Sequence, residues 1–515
     1  MSDGYTEHDK KQDMHVLHSM GYAQELERRM SGFSNFAISF SIICIMSGGI
    51  NSLAQATSGA GGIAIGIGWP LGCLMSGFFA LALAQIASAY PTAGGLYHWG
   101  SILGNRFTGW LSAWLNLLGL ITVLGAINVG TYYFFFGAFG SMFGMEDTLY
   151  VRVAFVGAIT ALMAIINHMG IGLTAKLTDM SGYLILAAAI GLTIVCLISA
   201  PSYDVARLFT FTNYSGEAGG NVWPSVSGGW VFALGLLLPI YTITGYDASA
   251  HTSEETVKAQ ISVPKGMISS VLWASIFGYI MLCAFVIMIP NMDEAAKQGW
   301  NVFFWAMDSQ VNPVVKNILY VAIFISQFLC GLATVTSVSR MIFAFSRDGG
   351  LPASKALAKV SPSFRTPVAA IWTGSILSVL FVWLTSEISI GEASAYAIVV
   401  SCTVIFLFLS FALPIGLGLL AHGTPKWSKM GPWDMGAAKF KLVAVLALIS
   451  MVVMFVIGVQ PPNDWALYIT VGFVILTAIV WVVFEQRRFK GPPIGDEVAK
   501  RQAEIAAAER AVGEA

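Results

Sequence analysis

Charge is scarce in this sequence: Asp, Glu, Lys and Arg together make up 11% of its 515 residues, where a soluble globular domain carries roughly a quarter. No long polar block interrupts the chain, so there is no stretch from which a separate soluble domain could be built. The six cysteines (Cys44, Cys73, Cys196, Cys283, Cys330 and Cys402) fall singly in apolar runs. They lack the paired spacing of a zinc site or a disulfide framework and read as small buried hydrophobes. The seven histidines form no metal-spaced cluster and no Ser/His/Asp set, which leaves enzyme chemistry, a metal and a cofactor without support. The first 32 residues are polar, with no apolar core near the start of the kind a cleavable signal peptide needs.

What is abundant is hydrophobic length. Hydrophobic residues are 56% of the chain and the mean hydropathy is +0.72. A helix crosses the hydrocarbon core with about 20 apolar residues. Runs of that kind centre on 33–56, 63–89, 108–140, 150–169, 174–199, 226–249, 267–290, 317–339, 367–386, 393–421, 440–459 and 464–484. Turn-forming residues punctuate the joins: Pro91 with Gly94 and Gly95, Pro201, Pro264, Pro290, Pro352, Pro367, Pro425 and the Pro461-Pro462 pair.

Twelve spans return the chain to the side on which it began. Basic residues are retained on the cytoplasmic side, and 23 of the 27 Lys and Arg lie in segments on the side of the N-terminus; the others are Arg152, Arg207, Lys297 and Lys316. One missed or invented helix would invert every later loop and scramble this alternation. The expectation is an all-α protein of a plasma or inner membrane, with cytoplasmic tails at 1–32 and 485–515.

Two spans carry polar and glycine clusters at mid-membrane depth, where irregular backbone is tolerated only against protein or water. The first contains Ser47, Gly48, Gly49, Ile50 and Asn51; the sixth contains Tyr241, Thr242, Thr244, Gly245 and Asp247. Matched interruptions in the first and sixth spans point to two halves of five, 33–199 and 224–421, with a solute site between them and two further helices at 440–484. An unwound helix offers amide N–H groups at one half-end and carbonyls at the other, a pairing suited to a zwitterion.

Asp247 lies too deep to be ionised unless paired or hydrated. It is read as a partner for a substrate ammonium, a proton carrier or a structural cap. Asp247, His251, Glu254 and Lys258 recur on one helical face that would wet a cytoplasmic vestibule. Lys176 and Asp179, at i and i+3, read as a local ion pair or, alternatively, as a lysine standing where a coupling cation would sit. Thr334, Thr336, Ser337 and Ser339 of the eighth span offer oxygens to sodium, or bond to their own backbone. Tyr241 could stack over a bound cation. A channel, the rival class, would display a repeated filter or charged ring, and none is visible.

The stretches Tyr90-Pro-Thr-Ala-Gly-Gly-Leu-Tyr-His-Trp99, Gly245-Tyr-Asp-Ala-Ser-Ala-His-Thr-Ser-Glu-Glu255 and Ser346-Arg-Asp-Gly-Gly-Leu-Pro352 resemble signatures of the amino acid-polyamine-organocation superfamily, in its amino acid/choline transporter branch. The resemblance covers about residues 20 to 485. It implies a LeuT-type fold of 5+5 inverted repeats, alternating access as a symporter or exchanger, and an amino acid, 4-aminobutyrate, choline or polyamine as substrate. It also implies that the amides of Ser47 to Ile50 meet the substrate carboxylate, that Tyr241 to Thr244 face its amine, that Asp247 occupies an acidic position and that Lys176 matches a fifth-helix lysine linked to proton coupling. The superfamily pattern in the first helix is closer to Gly-Ser-Gly, where this chain has Ser47-Gly48-Gly49. The motifs at 90–99 and 346–352 are expected to act as inner-gate and hinge elements.

Overall fold

The structure is a computed structural model describing residues 5–388, 395–493, 498 and 500–512. Among them, eleven helices are long and apolar enough to span a membrane: Gly32–Asn51, Ala64–Ala89, Arg106–Phe139, Leu149–His168, Ile171–Ser199, Ala259–Met288, Pro313–Arg347, Val368–Ser386, Val399–Ala421, Ala437–Gly458 and Asp464–Arg488. The twelfth is the sixth in chain order. It is divided into Gly228–Gly235, Leu237–Thr242 and Ala248–His251 and so falls short of spanning length in any one piece. The first segment of the tenth expected span, 393–394, lies outside the described residues. This is a multi-pass helical membrane protein.

Polar caps set the helix starts. Ser31 Oγ accepts the amide of Ser34 at the first span, Asn105 closes a capping box at the third, and Asn312 accepts Val314 N–H at the eighth, ahead of Pro313 at the first helical position. Pro264, expected at a join, lies instead inside the seventh span, within its first two turns.

Burial orders the spans. The first and third are 89% and 83% buried, whereas the twelfth is only 11% buried, so the first and third form the centre and the twelfth faces lipid. The second span packs on the seventh, the third on the eighth, and the broken first on the broken sixth. Each of these pairings is offset by five spans, while the third also packs on the tenth and the first on the seventh.

One face of the bundle gathers the N-terminal segment. Thr6 caps a short helix, Glu7–Ser19, and the chain then runs across the bundle to Met30, which pairs with the segment after the sixth span: Met30 N–H donates to Glu255 O and Val257 N–H to Met30 O. Asp13 accepts the amides of Lys258, at 2.8 Å, and Ala259, at 3.3 Å, capping the seventh span from a distant part of the chain.

Candidate substrate site at the two helix breaks

The first span runs as a helix to Ile43, leaves helical geometry at Cys44 (φ 18°, ψ 85°) and resumes at Gly48. The sixth ends its upper helix at Thr242 and resumes at Ala248, with Gly245 at φ +91° between them. Both interruptions therefore fall where the sequence places them, the first beginning three residues early.

Glycine brings the breaks together. A β-carbon on Gly48 would stand 2.6 Å from Thr242 Oγ1 and 2.8 Å from its Cα. One on Gly245 would stand 2.2 Å from Ile42 Cγ2. Both are below any real carbon contact, so only the hydrogen of glycine lets the two chains approach.

The break also leaves backbone groups unspent. Ser47 and Gly48 N–H both donate to Cys44 O, but the amides of Gly49 and Ile50 find no acceptor among the described residues. Across the junction the carbonyls of Ile240 and Thr242 receive no donor among the described residues, while Tyr241 O takes the hydroxyl of Thr244. Buried backbone groups are almost always paired. Unpaired backbone groups at both breaks mark a place for a ligand that both donates and accepts hydrogen bonds.

Ser47, Gly48, Tyr241, Thr242 and Thr244 line one nearly closed cavity, of about 10 Å³, together with Ile42, Ile43 and third-span Val123 and Ile127. Gly49 lies outside this lining, and Ile50 lines the next cleft, with Asn51 and the aromatic rings of Tyr133, Phe134 and Phe303. That second cleft, of about 340 Å³, lies toward the face opposite the N-terminal segment, beside Trp300 in the connection after the seventh span. Asn51 Nδ2 donates to Gln327 Oε1, and Gln327 Nε2 returns a bond to Met46 O. The break is thereby tied to the eighth span.

Lys176 is not at this site. It is exposed in a separate polar cleft beside Arg28, Arg29, Ser34 and Arg365. The expected ion pair with Asp179 is also absent, since Asp179 accepts the hydroxyl of Ser34 at 3.0 Å instead. Thr334 and Ser339 spend their hydroxyls on Cys330 O and Thr336 O, and Thr336 bonds Asn167 Oδ1. Ser337 Oγ alone has no partner.

The stripe Asp247, His251, Glu254, Lys258 is not a wetted face. The helix stops at His251, a 3-10 turn follows over Ser253–Glu255, and Lys258 is left-handed at φ +52°. The first three side chains are completely buried, and Lys258 reaches Asp9. Asp247 Oδ2 accepts Asn116 Nδ2 at 3.2 Å and lies 3.3 Å from His251 Nε2.

Below Asp247 the N-terminal face is sealed. Arg347 holds Glu254 through two bonds of 2.8 and 3.0 Å, and Arg340 holds Glu255 through bonds of 2.7 and 3.0 Å. Asp348 accepts the hydroxyls of Tyr22 and Tyr97 and sits 3.5 Å from His98. The motifs at 90–99 and 346–352 thus meet each other and the N-terminal segment, a junction that sequence could suggest but not place. Burial pushes the His98 imidazole below its ordinary range despite Asp348. Burial pushes the Glu254 carboxyl up, but the guanidinium of Arg347 and the amide of Ala93 outweigh it and hold it low. The Asp348 carboxyl is likewise held low against burial, by hydrogen bonding from His98, the charge of Arg347 and the Tyr22 hydroxyl.

Comparison with known proteins identifies the family. The family model described as amino acid permease matches residues 30–484. The chain belongs to the amino acid permease family. Among its relatives is the amino-acid permease BAT1 of Arabidopsis thaliana, 32% identical over 92% of this chain and 95% of that protein. The BAT1 homolog of Oryza sativa subsp. japonica is 31% identical, over 92% and 94%. The GABA-specific permease of Saccharomyces cerevisiae is 26% identical, over 93% and 86%. This amino acid permease, a member of the amino acid-polyamine-organocation superfamily, therefore keeps its conspicuous glycines at a junction between two broken helices and its buried charges on one side of it.

Proposed function

We propose that the chain is a secondary transporter that carries an amino acid, or a short amino acid such as 4-aminobutyrate, by alternating access around the paired breaks. One observation carries the reading: the two breaks meet at Gly48 and Thr242, with unspent amides at Gly49 and Ile50 and unspent carbonyls at Ile240 and Thr242. A carboxylate satisfies the first pair, at a helix start where the dipole favours it, and an ammonium satisfies the second. Ser47, Tyr241, Thr242 and Thr244 would flank the substrate and Gly245 would set the turn. No charged side chain lines the cavity, which favours a neutral side chain. Choline and polyamines, lacking a carboxylate, would leave the two amides unmet at a cost of about 1–3 kcal/mol each; a relative named for GABA fits the same logic.

The N-terminal face is the cytoplasmic one in this reading, from the asymmetry of Lys and Arg. The sealed ion pairs then close the inside, and the aromatic cleft at Trp300 is the approach from outside. A proton is favoured over sodium as the coupling ion, because the buried acid near the break is Asp247.

The test is a thermal-shift screen of the purified protein against amino acids, 4-aminobutyrate, choline and polyamines, followed by uptake of the hits into liposomes. Saturable uptake of a zwitterion is expected. Stabilisation by choline or a polyamine alone, or conductance without saturation, would overturn the proposal.

A further inference from the structure

His251 is surrounded by acceptors. Its Nδ1 lies 3.1 Å from the carbonyl oxygen of Ala93, which can only accept, so Nδ1 carries a hydrogen. Its Nε2 lies 3.3 Å from Asp247 Oδ2. A neutral ring with its hydrogen on Nδ1 would turn a lone pair toward a carboxylate, two acceptors facing each other in a site closed to water. One further proton removes the conflict, either on Nε2, giving imidazolium and carboxylate, or on the aspartic acid, which then donates to the ring. Both forms contain the same number of protons.

The other buried histidine of this region makes the contrast. His98 Nδ1 contacts the Thr92 hydroxyl and its Nε2 the Tyr22 oxygen, whose own hydrogen goes to Asp348. Thr92 donates, His98 donates, and the neutral ring is satisfied with no extra proton.

The remaining groups around the pair do not supply the missing charge. Asn116, which reaches both Asp247 and Ser410, is neutral. The phenol of Tyr246 is buried next to Asp247 with no partner for its hydroxyl. Glu254 and Arg347 neutralise each other one turn further on.

The same peptide that fixes His251 also touches that salt bridge. Ala93 N–H donates to Glu254 Oε1 at 3.1 Å while Ala93 O receives His251. Withdrawing the loop at 92–95 would therefore take one hydrogen bond from Glu254 and bare the His251 ring to solvent in a single movement.

We propose that Asp247 and His251 share one bound proton in the closed protein, and that this is the coupling proton, exchanged with the N-terminal face only when the Ala93 loop withdraws. The proton leaves to water, returning a neutral imidazole and a carboxylate that are then hydrated. The proposal rests on the reading of this chain as a proton-driven carrier and adds where the proton resides and what gates it.

The experiment uses the full chain in liposomes, with substrate flux and a pH-sensitive dye read together. With one proton per substrate, a gradient of one pH unit is expected to drive about tenfold accumulation. His251→Gln and Asp247→Asn are expected to exchange labelled for unlabelled substrate at equilibrium while losing the accumulation and the proton flux. Variants that accumulate substrate like the parent overturn the proposal. Parent protein that moves substrate without moving protons overturns it as well, and that measurement needs no variant to fold. Parent protein that moves no substrate at all refutes the carrier reading itself.

Discussion

Arg340 grips Glu255 through two hydrogen bonds, 3.0 and 2.7 Å long, with both side chains out of contact with solvent. The pair joins the end of the eighth span to the segment after the sixth, and Glu255 O in turn holds the amides of Arg29 and Met30. Three distant parts of the chain are fastened at this one point.

Removing one partner leaves the other charged and buried. Arg340→Ala should destabilise the protein by about 3–5 kcal/mol, seen as a large drop in Tm in detergent. Replacing both residues by methionine should recover much of the loss. A single variant as stable as the parent would show that the pair contributes nothing to the closed face.

The contact between Gly48 and Thr242 sets a second expectation. Gly48→Ala must push its methyl into the backbone of Thr242, 2.8 Å away, whereas Gly49→Ala makes ordinary contacts with Met281 Cε at 3.7 Å and Leu282 Cδ1 at 3.9 Å. Overpacking of this kind costs about 1–3 kcal/mol, and it falls on the site itself. Substrate binding and uptake should collapse in the first variant and persist in the second, measured by KM and maximal rate on equal amounts of folded protein.

Asp13 caps the seventh span from the N-terminal helix. Asp13→Ala should lower stability by about 1 kcal/mol, and the loss should appear first as faster amide exchange at Lys258 and Ala259. Unchanged exchange there would mean that the N-terminal helix does not hold the span.

Acid should loosen the closed face in a set order. The folded-state pKa of His98 is depressed below its ordinary value of 6.5, so its contribution to stability is present above that pH and is lost as pH falls below it. Glu254 and Asp348 are depressed below 4.5 and 3.8, so theirs is lost only at lower pH. Hydrogen exchange in residues 90–100 should begin to rise below about pH 6.5 and rise again in the carboxylate range. A flat profile through the first range would show that burial does not hold His98 neutral.

Much of this was readable without coordinates because a membrane simplifies the problem. Lipid forces each crossing to be a helix of near-constant length, so apolar runs separate cleanly, and Ser47 to Asn51 and Thr242 to Asp247 stand out as polar residues where none should be. Legibility ended where partners are chosen across the bundle. The i,i+3 spacing of Lys176 and Asp179 promised an ion pair, but the hydroxyl of Ser34 occupies the carboxylate. The periodic stripe from Asp247 to Lys258 assumed a helix that in fact stops at His251. The motif at 90–99 contains Ala93 and His98, but nothing in it marked their contacts with His251 and Asp348 from other segments.

The sequence by itself determined the number of crossings, the two places where helical winding fails and the family, because each is set by local composition against a solvent that cannot bond to the backbone. Only the tertiary structure decided which buried charge meets which. That choice depends on the packing of helices far apart in the chain, where a shift of one turn would exchange every partner.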